Sequence, residues 1–330
     1  MSTKKQAQSG QGDVRTINDI ARIAGVSKKS VSRAINDEPG ISPATRARLK
    51  SIMEEHGYAP DRRARALASS KSFLIGMAYN NPNPGYVMEM LKGVQAVAEP
   101  AGYEVVMHAT KASGAELSGE LVRFFQRSGC DALILTPPLS ESAELLAALS
   151  KTGKTVVRIA GDDANFSIIQ VRYDDRSAAQ AVTDRMISLG HRRIGFLGGA
   201  ESSGTTRRRL AGYRDALRLQ GLRFDPALIR FADFTFASGA SEGDALLCSE
   251  DRPSAIVCAN DEMASGVLHA ARLHELKVPK DLAVSGFDDS LLARQVWPPL
   301  TSVRQPIQEM AERAAQLALG IRAPEGSGLP

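Results

Sequence analysis

Residues 16–36 read TINDIARIAGVSKKSVSRAIN. Thr16 is an N-cap residue with Asp19 three positions on, the spacing of a capping box, and Ile20, Ala21, Ile23 and Ala24 recur at helical spacing. Gly25 ends that helix. Ser27 caps a second one, whose Val31, Ala34 and Ile35 repeat at i, i+3 and i+4 and face inward, which turns Lys28, Lys29, Ser32, Arg33 and Asn36 outward. Two capped helices around a glycine turn at this spacing form the pattern of a helix-turn-helix DNA reader, whereas a charged helix alone reads as a solvated face. The outward face suits the major groove: Arg and Lys donate to guanine N7 and O6, Asn pairs with adenine, and Ser bonds a phosphate oxygen.

The segment resembles the lactose-repressor (LacI/GalR) family of bacterial transcription regulators through Thr16-Ile17-Asn18-Asp19-Ile20-Ala21, Gly25-Val26-Ser27 and Val31-Ser32-Arg33 followed by Asn36. Carried over by position, Lys28 and Lys29 fall on the family's two most variable base-reading residues and Arg33 on its base-contacting arginine. The resemblance implies DNA contacts from Thr16, Ser27, Lys28, Lys29, Ser30, Ser32, Arg33 and Asn36.

Charge is segregated along the chain. From Met1 to Ser72 there are 14 Lys and Arg against 7 Asp and Glu, a net of +7, and the remainder carries 27 against 30, a net of −3. A basic head on a mildly acidic body implies phosphate contact by the head alone, with salt-sensitive affinity. No apolar run approaches the roughly 20 residues that span a bilayer. The leading MSTKKQAQSGQGD lacks the apolar core of a secretory signal, so a cytoplasmic, nucleoid-associated protein without membrane contact is expected. Cys130, Cys248 and Cys258 are odd in number and widely separated in apolar surroundings, and read as buried core thiols. The five histidines include no pair with helical zinc spacing, so neither a metal nor another cofactor is expected.

The 330 residues, 43% hydrophobic, allow two or three domains. Residues 1–13 read as a disordered tail, 14–59 as the helix-turn-helix domain, 60–72 as a hinge helix and linker, and 73–330 as a two-lobed core. Ser42-Pro43 starts a third helix, Leu49, Ile52 and Met53 give its apolar face, and Gly57 stops it, completing a small all-α head. The basic stretch 58–68 has few apolar side chains and is marginal as an isolated helix; by composition it is a charged linker. The resemblance instead implies the family's hinge helix, which folds on specific DNA, pairs with its dimer mate and inserts a leucine into the minor groove. Leu67 matches that wedge, Ala64 lies beside it and Arg65 approaches the phosphates, while Asp61 replaces the family's usual asparagine.

From Phe73 onward, apolar runs at 73–78, 104–108, 132–135, 155–159, 168–171, 193–197, 255–258 and 282–285 alternate with helical patterns, which gives α/β parallel sheets. The second series restarts after Asp162-Asp163-Ala164-Asn165, so two lobes with a cleft between them are expected. This resembles the type I periplasmic-binding-protein-like fold of the family's regulatory core, most specifically at Gly190-His191-Arg192-Arg193-Ile194-Gly195, Gly286-Phe287-Asp288-Asp289 and Pro298-Pro299-Leu300-Thr301. Ligands in such folds bind beyond the C-terminal strand ends. By family position the effector contacts are Arg209, Asn260 and Asp288, with Phe234 as an aromatic face. Tyr86 and Asn80 come from the first lobe, and Asp174 matches a cleft position or serves as a helix cap. Read without the resemblance, Arg209 fits a surface ion pair and Phe234 the core.

A carboxylate, an arginine, an amide and flat aromatic faces suit a sugar or glycoside, with a corepressing purine or nucleoside as the alternative. The resemblance implies a ligand-responsive repressor of carbohydrate-utilisation genes: a homodimer gripping a palindromic operator and released by its effector. Against an enzyme, Gly239-Ala240-Ser241-Glu242-Gly243 fits G-x-S-x-G, but Asp233-Phe234-Thr235-Phe236-Ala237 is not the buried strand that a nucleophile elbow needs. Gly195-Phe196-Leu197-Gly198-Gly199 lacks both dinucleotide spacing and a P-loop lysine. A secreted sugar carrier conflicts with the basic head. The chain ends at Pro330, short of the family's usual terminal strand, which reads as a truncation, and no leucine-heptad helix is present to join two dimers.

Overall fold

The computed structural model describes residues 16–35, 38–58, 69, 71–161 and 168–321. Internal contacts divide the chain into two compact units, Met1–Ser72 and Phe73–Pro330.

In the first unit, α1 (Ile17–Ala24), α2 (Lys28–Ile35) and α3 (Pro43–Glu55) enclose a core of Ile20, Ala21, Ala24, Val31, Ala34, Leu49 and Met53. The expected capping box closes: the Asp19 N–H donates to Thr16 Oγ1 at 3.3 Å and the Thr16 N–H to Asp19 Oδ2 at 3.1 Å. Gly25, at φ 65°, makes the left-handed turn between α1 and α2. Ser27 and Ser42 accept from the Ser30 and Thr45 N–H groups, each at 3.1 Å. Ile23, expected on the apolar face, is exposed. At about 100° per residue it lies about 110° from the centre of the arc defined by residues 20, 21 and 24.

In the second unit, β1 (Leu74–Tyr79), β2 (Glu104–Ala109), β3 (Ala132–Leu135), β4 (Thr155–Ile159) and β5 (Ile169–Val171) form one sheet in the order β2-β1-β3-β4-β5. A second, ordered β10-β9-β8-β6-β7, contains β6 (Ile194–Gly198), β7 (Ile229–Phe231), β8 (Ala255–Cys258), β9 (Ala283–Phe287) and β10 (Thr301–Val303). Every pairing is parallel. Helices α4 (Pro84–Ala98), α5 (Gly114–Ser128) and α6 (Ala143–Ser150) follow strands of the first sheet. The second lobe takes α7 (Asp175–Ser188), α8 (Gly204–Leu219), α9 (Phe236–Leu247), α10 (Asp261–Leu273) and α11 (Leu291–Gln295), and α12 (Ile307–Leu319) returns to the first.

The lobe boundary departs from the sequence expectation. Residues 162–165 lie outside the described residues, and Ile169–Val171, expected to open the second lobe, pairs with β4 as the edge of the first sheet. Within the described residues the chain passes between the lobes at 172–174 and 304–306. The return is fixed by α12, which buries Ile307, Met310, Ala311, Ala314, Ala315 and Ala318 in the first lobe's core. Gly93 permits that packing, because a Cβ there would collide with the backbone carbonyl of Gln308. Gly212 does the same between α8 and the Arg176 carbonyl of α7. Cys130 and Cys258 are buried as expected, but Cys248 is exposed: it caps the end of α9, past the last buried turn.

Candidate functional site

On the helix-turn-helix head, Thr16, Ser27, Lys28 and Lys29 are exposed, and Ser30, Ser32 and Arg33 are half-buried. Arg33 does not project freely, as the helical wheel implied. Its Nη1 donates to the Gly40 carbonyl at 3.4 Å, so the side chain lies along the loop after α2. Arg46, which sequence reasoning passed over, donates from Nη1 to the Arg33 carbonyl at 2.9 Å and the Ala34 carbonyl at 3.4 Å, satisfying carbonyls at the end of α2. Asn36, Ala64, Arg65 and Leu67 lie outside the described residues.

In the core, a cleft of about 530 Å³, counted to its mouth, opens between the lobes. Tyr86, Arg209, Phe234, Asn260 and Asp288 all line it, together with Asn81, Asn83, Ser203, Thr205 and Gln305.

The second-lobe face is built around Arg209. It is 4% exposed; its Nε donates to Asp175 Oδ1 at 2.9 Å, and further bonds reach the Ala259 carbonyl and Gln305 Oε1. Its guanidinium carbon lies 3.5 Å from the Phe287 ring centroid. Asp175 also accepts from Arg208 Nε at 3.2 Å, so one buried carboxylate aligns two arginines at the start of α7 and α8. Asp288 follows β9 with φ 109°, a conformation that costs a non-glycine residue free energy. That turn is held by its N–H to the Val303 carbonyl at 2.8 Å and by Asp289 N–H to Ser302 Oγ at 2.9 Å. Withdrawal from water pushes the Asp288 carboxyl up to about 8; Arg209 opposes the rise, and Asp261 and Asp175 add to it. Burial likewise holds the Tyr86 phenol well above its ordinary value, with the Asp288 charge adding to the effect.

Asn260 is the N-cap of α10: its Oδ1 accepts from the Met263 N–H at 2.9 Å and its Nδ2 donates to the Phe234 carbonyl at 2.9 Å. The amide therefore positions Phe234, itself at φ 66° with its ring over Gly199, where a Cβ would collide with it. Ala160, Phe234 and Asp288, all non-glycine residues with positive φ, line the same cleft. The other two expected contacts fall elsewhere. Asp174 is exposed and caps α7 through the Ser177 N–H at 3.0 Å, the cap reading of that residue, while the adjacent Asp175 turns inward. Asn80 is outside the lining, which takes Asn81 and Asn83 instead. Asn83 is 8% exposed and accepts the Tyr86 N–H at 3.2 Å, so it fixes the first turn of α4.

Glu141, in a short 3-10 turn (Leu139–Glu141) of the first lobe, reaches the N-terminus of α8 in the second. It accepts from the Gly204 and Thr205 N–H groups, both at 3.0 Å, and from Thr205 Oγ1 at 3.2 Å. Arg208 Nη1 adds a second bridge to the Gly161 carbonyl at 3.0 Å. The carboxylate satisfies two orphan helix donors and faces the positive end of the helix dipole, so it ties the lobes together at the rim of the cleft.

A helix-turn-helix unit and a two-lobed parallel α/β unit with a polar cleft define a transcriptional regulator with a small-molecule site. The family model for bacterial regulatory proteins of the lacI family matches residues 16–61, and that for the periplasmic binding protein-like domain matches residues 183–326. The chain is 34% identical over 306 residues, 93% of its own length and 89% of the relative's, to the HTH-type transcriptional regulator GalR of Escherichia coli (strain K12). Its structure is similar to the lac repressor dimer bound to operator and the anti-inducer ONPF, with TM-score 0.74, 28% identity and 93% of each chain covered. It is also similar to the CelR–cellobiose complex, with TM-score 0.71, 28% identity and 92% of each chain covered. The chain belongs to the LacI family of bacterial regulatory proteins. These relatives are regulators, not enzymes. The G-x-S-x-G match places Ser241 inside α9, with Gly239 and Gly243 buried, which is not the strand-to-helix elbow that a hydrolase needs. Among the described residues no helix is long and apolar enough to cross a membrane.

Proposed function

We propose that this regulator is a homodimeric repressor of carbohydrate-utilisation genes that leaves a palindromic operator when a sugar or glycoside binds its cleft. The convergence of Tyr86, Arg209, Phe234 and Asp288 from two lobes on one cavity carries the reading. Hydroxyls need both donors and acceptors, which Arg209, Gln305, Thr205 and Asp288 supply, and the Tyr86 and Phe234 rings offer faces for sugar C–H groups. The CelR neighbour, solved with cellobiose, supports the same ligand class. The DNA half rests on Lys28 and Lys29 at the exposed start of α2, with Thr16, Ser27, Ser30, Ser32 and Arg33 around them. One head grips few base pairs, so two heads on a near-palindrome are needed for affinity. A protein of this kind works in the cytoplasm on nucleoid DNA. In this reading residues 14–59 form the DNA-binding domain, 60–72 the hinge and 73–330 the effector-binding and dimerising core.

Thermal-shift screening against mono- and disaccharides and against purine nucleosides tests the effector class. A sugar that raises Tm for the wild type and not for Asp288→Asn supports the proposal. A nucleoside that does so in its place overturns the sugar assignment.

A further inference from the structure

At the ends of α9 and α10 away from Phe234 and Asn260, three side chains of metal-ligating type converge. Asp244 and Cys248 lie one turn apart at the end of α9, and His274 is the C-cap of α10. Cys248 Sγ is 3.7 Å from Asp244 Oδ2 and 3.8 Å from His274 Nε2, and that nitrogen is 2.7 Å from Asp244 Oδ1. We propose that Asp244, Cys248 and His274 form a site for Zn²⁺ or a closely similar divalent cation, with water as the fourth ligand.

The donor set decides the cation class. One thiolate, one imidazole and one carboxylate suit a borderline transition metal, whereas Mg²⁺ and Ca²⁺ take oxygen ligands. Tetrahedral bonds of about 2.0–2.3 Å place neighbouring donors roughly 3.3–3.8 Å apart. The sulfur distances to Asp244 Oδ2 and His274 Nε2 lie in or at the edge of that range, and the cation replaces the His274–Asp244 hydrogen bond as the Asp244 carboxylate turns to present one oxygen.

Electrostatics and rigidity agree. Two helix C-termini end at this spot, where the negative end of the helix dipole favours a cation. The two helices meet along Gly239, Gly243 and Gly266, so their ends hold a fixed spacing. Asp244 and Cys248 are exposed and His274 is half-buried, which leaves the site open to solvent. Binding forms the metal–sulfur bond and releases the Cys248 thiol proton to water. A bound ion staples together the far ends of the helices whose near ends place Phe234 and Asn260 in the cleft.

The test is titration of the reduced, metal-stripped full chain with Co²⁺, followed by absorption. The expected result is a sulfur-to-cobalt charge-transfer band with tetrahedral d–d bands, saturating at a single equivalent and bleached by Zn²⁺. The bands disappear in Cys248→Ser and His274→Ala and need more Co²⁺ in Asp244→Asn, with far-UV circular dichroism confirming that each variant is folded. Zn²⁺ also raises Tm for the wild type but not for Cys248→Ser. A wild-type chain without the charge-transfer band, or a Cys248→Ser chain that retains it at full amplitude, overturns the site.

Discussion

Removing the Glu141 carboxylate should loosen the two lobes. Glu141→Ala deletes both acceptor bonds to the Gly204 and Thr205 N–H groups and the contact with Thr205 Oγ1. Hydrogen bonds to a charged group contribute about 1.5–3 kcal/mol each, but they are not independent here, and Glu141 is only half-buried, so water replaces part of both. The remaining loss is about 1–2 kcal/mol, the scale of a carboxylate at a partly buried helix N-terminus. That corresponds to an opening equilibrium shifted about 5- to 30-fold. The assay is native-state amide exchange of the full chain, resolved at Gly204 and Thr205, with effector affinity measured alongside. Exchange at those two amides should accelerate by that factor, effector binding should weaken in the same direction, and Glu141→Gln should fall between the two. Unchanged exchange at both amides in Glu141→Ala would refute the latch.

Arg209→Met strips a buried carboxylate of one of its two arginines and should destabilise the core by about 3 kcal/mol, toward the low end for a broken buried pair because Arg208 still holds Asp175; urea unfolding measures it. Asp288 gives a pH signature. Its folded pKa of about 8 lies above the unfolded value, so the native state binds the extra proton, and stability is greatest below the unfolded carboxylate pKa and falls as pH rises toward 8. Denaturation midpoints at pH 5 and pH 8 should therefore differ more in the wild type than in Asp288→Asn. Exchanging Lys28 and Lys29 for Ala, one at a time, should alter the preferred operator bases, and each lost phosphate contact should reduce the log–log salt slope by about 1; binding isotherms over a salt series separate the two effects.

The head was legible because its signals are local. The Thr16–Asp19 box, the Gly25 turn and the period of Ile20, Ala21 and Ala24 act within one or two helical turns. The central strands Ala132–Leu135 and Ala255–Cys258 are fully buried apolar runs and equally plain. Two strands went unread: Ile229–Phe231 and Thr301–Val303 are three-residue edges whose identity comes from the neighbour they pair with. The apolar stripe of α12 announces that the helix packs, but not against which lobe. At the cleft, family position located Tyr86, Arg209, Phe234, Asn260 and Asp288, yet it did not distinguish Asp174, which caps, from Asp175, which is 2% exposed and pairs with two arginines. Glu141 and Gly204 are 63 residues apart, and Cys248 and His274 are 26 apart, so neither grouping exists before the chain folds.

The most direct test of the regulator assignment is selection of operators by the full chain from a pool of random duplexes at moderate salt, with a sugar mixture then added to the retained complex. An enriched near-palindrome with a flexible central step, released by a sugar and bound less tightly as salt rises, is the predicted outcome. No enriched sequence at any salt concentration would contradict it.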